Sequence, residues 1–159
     1  MIISIQQFEL LNTRCDVVVA SRSLNNLPSV CWGMGGLVHD DRKTVSVWLH
    51  RDHSGQLIAD IRDTSRISAV FSVPFTNVSF QLKGENATVR LARTDDALIL
   101  QRHCGNMVRE LELVQFGELF ARTVFEYPLQ DLMAVDFTIS AMFEQTPGPR
   151  AGQPLGQHQ

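Results

Sequence analysis

The chain's 159 residues suit one domain, and 44% apolar against 19% charged residues can bury a core and exclude a disordered chain. A net charge of −3 lacks the basic excess that a nucleic-acid footprint needs, and no apolar run approaches the ~20 residues required to span a bilayer. Neither nucleic acid nor membrane is therefore expected as a partner.

The opening MIISIQQFELLN has no basic start and no small-residue cleavage site, so no signal peptide is expected and cytoplasm is the expected compartment. Within it, Ser4 and Gln7 have the spacing of a capping box, and Ile5, Phe8 and Leu11 share one helical face. DVVVAS (16–21) is β-branched and reads as a buried strand. LNNLP (24–28) is turn chemistry, which makes the next strand fold back as a hairpin.

That strand, SVCWGMGGLV, places Val30, Trp32 and Met34 on one face and Cys31, Gly33 and Gly35 on the other. A face so bare of side chain implies either a bulge at a barrel corner or the close approach of a flat ligand. HDDRK makes a turn, TVSVWL (44–49) a third strand, and a helix follows through Leu57, Ile58 and Ile61 with Ser54 as N-cap. SRISAVFSV and NVSFQLKG are two more strands around Pro74. ENATVRLA is expected to continue the meander after Gly84.

Residues 94–113 are rich in helix formers, with Gly105-Asn106 as an expected break. Phe116, Leu119, Phe120 and Thr123 trace the apolar face of another helix, ended by Tyr127-Pro128. LMAVDFTISAMF alternates with Met133, Val135, Phe137, Ile139, Ala141 and Phe143 on one face, so a single returning strand is expected. Domain bounds of 1–145 and a Pro/Gly-rich tail of 146–159 follow, the last dozen residues reading as disordered. Pro cannot extend a sheet, so the Pro-Gly-Pro run is expected to take a stiff path that could set Arg150 near an anionic ligand.

Three cysteines far apart, Cys15, Cys31 and Cys104, are not a disulfide framework. His50 and His53 lack Cys or carboxylate partners at ligand spacing, and His103-Cys104 is weaker still, so no metal site is expected. No Ser-His-Asp spacing is arguable, and no catalytic residue is named.

VVVASRSLNNLPSVCWGMGGLV, TVSVWL, GQLIADIRDTSRISAVFS, FQLKGENATV and the closing FEQTPGPRAG, in this order from about Val17 to Leu155, resemble the split-barrel flavoproteins related to pyridoxamine 5′-phosphate oxidase. The resemblance implies a mainly β fold, a six-stranded antiparallel split β-barrel of the FMN-binding type with a few α-helices. It further implies a homodimer with FMN between the subunits, acting as an oxidoreductase on a small-molecule substrate. Cys31 and Gly36 stand where the oxidase carries basic phosphate ligands, and Gly55, Gln56 and Leu57 where it carries a Ser-Arg-Lys turn. Neutral groups give about half the strength of charge-assisted bonds to phosphate. Arg51, His53, Ser54 and Lys83 are the available substitutes, Gly33 and Trp48 the surfaces for a ring, and Gln81 with Ser79 the groups for its polar edge. Cys31, His50 and Gln56 complete the candidate set. Split-barrel relatives include haem binders, so haem, with any of the five histidines or Cys31 as axial ligand, is an alternative cofactor, as is a deazaflavin. A family member that has lost its cofactor is a third reading.

Overall fold

The structure, a computed structural model, describes residues 1–156. Helix α1 (Ile5–Thr13) opens with the expected box: Ser4 Oγ accepts from Gln7 N, and the Gln7 side chain accepts from Ser4 N. Strands β1 (Asp16–Arg22), β2 (Pro28–Val38) and β3 (Thr44–His50) follow, then α2 (Gly55–Thr64), β4 (Ile67–Ser72), β5 (Ser79–Gly84) and β6 (Thr88–Leu91). Helices α3 (Asp96–Leu113) and α4 (Glu118–Phe125) precede β7 (Leu132–Thr138), β8 (Ala141–Glu144) and β9 (Pro154–Leu155).

All pairings are antiparallel, in one sheet of order β6-β7-β3-β2-β1-β4-β5-β8-β9. The expected class is right, a mainly β split barrel with flanking helices. The count is corrected: among the described residues nine strands rather than six, in a sheet whose edges, β6 and β9, do not meet. β6 does not extend the meander. It leaves β5 and pairs with β7 on the far side.

The single returning strand is in fact two. Ile139 N donates to Lys43 O and Ser140 N to Lys83 O, so the chain crosses here from the β3 side to the β5 side. The crossing breaks the alternation: Met142 is buried in the core, while Ala141 and Phe143 share rows with Lys83 and Gln81. The expected break at Gly105-Asn106 is absent, and α3 runs through it. Asn106 there donates to Asn12 O at 3.2 Å, so its polar side chain ties α3 to α1 rather than ending the helix. The chain up to Leu155 is ordered by pairing. Glu144 N donates to Gln153 O and Gly152 N to Glu144 O, seating β9 beside β8.

Alternation then sorts every strand into an inner and an outer face. Val17, Val19, Val45, Val47, Leu49, Ala69, Phe71, Leu82, Val135 and Phe137 face inward on one buried core, which α1 and α2 help to close. The glycines of β2 answer the question their bareness raised. The register of β2 against β3 shifts between Gly33 and Gly35, a bulge. A Cβ on Gly33 would lie 2.5 Å from Val17 Cγ1, one on Gly36 2.6 Å from the Phe71 ring, and one on Gly35 2.8 Å from Leu100. The chain's own side chains occupy the bare face, so Gly33 serves packing and presents no surface to a ring.

Candidate cofactor-binding face

The register defines what lies on the outer face. Directly opposed residues form rows across the strands, and the first reads Trp32–Val18–Val70–Gln81–Phe143. The next reads Val30–Ala20–Ser68–Lys83–Ala141. Val18, Val30 and Trp32 are 39%, 68% and 46% exposed, a run of large apolar groups that solvent does not favour. Trp32 leans edge-on against Phe125 of α4, centroids 5.9 Å apart. Beyond it Phe116, just before α4, stacks on Phe120 of that helix, with Leu119 exposed, so the expected apolar face looks outward and the buried residues of α4 are Ala121 and Phe125.

Polar groups border the apolar rows. Gln81 Nε2 donates to Ser68 Oγ at 2.8 Å, which ties the amide to the neighbouring row. Lys83 Nζ sits 4.7 Å over the Phe143 ring. Asp16, two residues before Val18, has its carboxyl pushed up to about 6 by burial, with the Trp32 indole and its own backbone N–H opposing. Sequence reading passed over Asp16, Val18 and Val70. The signal was their parity with Trp32, visible only once strand pairing is known.

The candidate residues fall into separate places. Gln81 and Lys83 share this face. Gly33 is inside the barrel, and Cys31 lies on the inner side of β2 in the row Val19–Cys31–Ala69–Leu82; burial raises its thiol, with the Trp32 backbone opposing. Trp48, His50, Arg51, His53 and Ser54 gather at the end of β3. There His50 stacks on His53 (4.2 Å) and meets Tyr127 edge-on (4.7 Å). Arg51 donates to the carbonyl of Gln130. Ser54 does not cap α2 with its side chain; Oγ donates instead to the His50 carbonyl at 2.7 Å.

Gln56 and its surroundings decide the fit to FMN. Where the resemblance places basic phosphate ligands, Gly36 is covered by Phe71 and Leu57 is buried. Gln56 Nε2 donates to Asp60 Oδ1 at 2.9 Å, and Ser29 Oγ donates to Asp60 Oδ2 at 2.5 Å. A carboxyl group 3% exposed thus takes the donors nearest to the expected phosphate position. A dianion there would meet the Asp60 carboxyl, which already holds the Gln56 and Ser29 donors, so Gly36, Gln56 and Leu57 do not fit a phosphate.

The other half of the outer face is closed. Met34, Trp48, Leu132 and Ala134 lie beneath Leu100 of α3. Arg90 fixes the helix start, bonding Asp96 and Asp136 at 2.7 Å each. Burial raises the Asp96 carboxyl, but Arg90 and the Arg93 N–H outweigh it and hold the group below its ordinary value. His39, Ser46 and Asp136 are linked at 2.8 and 2.6 Å, yet in an order that does not activate a nucleophile. Ser46 donates its proton to Asp136, His39 is left to donate to Ser46, and the hydroxyl is 1% exposed. His103 is buried against Phe125, which lowers its pKa to about 4. Among the described residues no group of His, Cys, Asp and Glu could hold a metal, and no helix is long and apolar enough to cross a membrane.

No family model matches the sequence, and no curated protein matches it. Solved structures do match in shape. HupZ of Group A Streptococcus superposes with a TM-score of 0.58 at 15% identity, over 94% of this chain and 100% of that one. A putative pyridoxamine 5′-phosphate oxidase of Lactobacillus delbrueckii gives 0.56 at 12%, over 89% and 93%. A Clostridium acetobutylicum protein of the pyridoxinephosphate oxidase family, related to general stress protein 26, gives 0.51 at 16%, over 87% and 84%. The chain has the fold of the pyridoxamine 5′-phosphate oxidase-like split barrels.

Proposed function

We propose that this protein binds a flat conjugated cofactor of the flavin class on the uncovered outer face of β2-β1-β4-β5, at an interface with a second copy of the chain, and serves as a small oxidoreductase. The observation that carries the reading is the row Trp32–Val18–Val70–Gln81. It offers an aromatic, an aliphatic floor and an amide held by Ser68, which suit the face and the polar edge of a ring. A single sheet face gives a ring one wall, and a second copy supplies the other while covering Val30 and the exposed side of α4. A bound flavin or deazaflavin would supply hydride or electron transfer to a small substrate; this chain's residues supply position and exclusion of water.

A non-catalytic haem holder has less support. His39, His50, His53 and His103 lie away from these rows, and His158, also a candidate axial ligand, lies outside the described residues. The test is an absorption spectrum of purified protein titrated with FMN and then with haemin. Flavin bands that saturate are the expected result. A Soret band with haemin and no flavin uptake would overturn the proposal in favour of the haem holder.

A further inference from the structure

We infer that the cleft at the ends of β1, β4 and β5 binds a phosphate group through Arg22, Arg66 and Lys83. The inference rests on the proposed function for the identity of the ligand, but the anion site is tested apart from it. The cleft has a volume of about 240 Å³ and opens between Ser21, Arg22, Arg66, Ser68, Lys83 and Glu85. On a chain of net charge −3, three basic residues line it against one carboxylate.

The cations are positioned without being neutralised. The Arg22 guanidinium donates to the Asn26 side-chain oxygen and the Ser23 carbonyl, both uncharged. Lys83 lies over the Phe143 ring. Among the described residues neither is paired with a carboxylate. Arg66 faces Glu85 at 3.6 Å with both side chains more than half exposed, a weak pair that a dianion can displace.

The cleft also lies where the proposed ring would need it. Ser68 and Lys83 belong to the row beside Val70 and Gln81, one row and about 7 Å along the strands. A ring over Trp32 and Gln81 therefore points one end at the three cations. The opposite direction along the strands, past Val18, meets Asp16. The proposed phosphate position is thus the outer-face cleft of β1, β4 and β5, and not the start of α2 at Gly55–Leu57.

The test is a 15N amide titration of the full chain with inorganic pyrophosphate, repeated on Arg66→Gln/Lys83→Gln. Both residues are exposed, and the spectrum itself reports whether the variant folds. Saturable shifts at Ser21, Arg66, Ile67 and Gly84, with affinity lowered tenfold or more in the variant, are expected. Shifts centred on Gly55–Leu57, or no saturation, would overturn the inference. FMN and riboflavin titrations then separate it from the cofactor reading. With both correct, FMN binds more tightly than riboflavin and the variant removes only the difference. Pyrophosphate bound in the cleft with neither flavin taken up would leave the anion site standing and sink the flavin reading. Equal flavin affinities with no pyrophosphate shifts would do the reverse.

Discussion

Over β3 and β7 the outer face of the sheet lies beneath α3, while over β1, β4 and β5 the same face meets solvent. The two halves share strand chemistry, β-branched and aromatic residues in alternation, and differ in what covers them. In the covered half Arg90 is paired with both Asp96 and Asp136, and the indole of Trp48 is wholly buried. In the bare half Trp32 is exposed, Asp16 is left without a cation, and Lys83 rests on an aromatic ring. The apolar half that α3 leaves open is the surface the proposal assigns to a cofactor and a second copy.

Breaking the covered half should cost most. Arg90→Met removes the partner of Asp96, whose side chain is 7% exposed, and leaves its carboxyl buried beside that of Asp136. A loss of about 3 kcal/mol is expected in chemical denaturation. Hydrogen exchange should quicken in α3 and stay unchanged in β4 and β5. Equal loosening of both halves would remove the distinction between them.

Gly33→Ala strikes the seam at β2. Its Cβ would press on Val17 Cγ1 and, at 3.0 Å, on the Val17 carbonyl oxygen, which cannot swing aside. A cost of about 1–3 kcal/mol is expected from thermal melts. Gly35→Ala should cost less, because the nearest atom is the tip of Leu100, a flexible side chain.

The halves should also answer pH in opposite senses. His103, in the covered half, is depressed from 6.5 to about 4, so its contribution is present above 6.5 and lost as pH falls through 4. Asp16, in the bare half, is raised from 3.8 to about 6, so its contribution is present below 3.8 and lost as pH rises through 6. Asp16→Asn should therefore raise Tm at pH 8 and lose that advantage by pH 4. His103→Phe should melt with less acid sensitivity between pH 6.5 and 4. Parallel Tm–pH curves for either variant and the parent would contradict the assignment.

What the sequence disclosed was local. The Ser4 capping box, the hairpin at Asn26, the strands through Gly84 and the helix at Leu57 depend on neighbouring residues, and all form. What stayed hidden depends on distant partners. The crossing at Ile139-Ser140 is set by carbonyls of Lys43 and Lys83, and Asn106 remains helical through a bond to Asn12. The candidate site suffered in the same way. Gln81 and Lys83 were found by parity within one strand, but the β2 bulge and the inward turn of Cys31 and Gly33 could not be read without the partner strands. Asp16, Arg22 and Arg66 carried no motif, and only pairing brings them beside Trp32 and Lys83.

The most direct measurement is sedimentation equilibrium of the parent and Trp32→Glu, each with and without FMN. Trp32 is half exposed, so the substitution should leave the fold intact by circular dichroism while placing a charge in the middle of the bare face. The account predicts a parent dimer that co-sediments with flavin and a folded Trp32→Glu monomer that does not. A Trp32→Glu dimer that takes up FMN like the parent would contradict it.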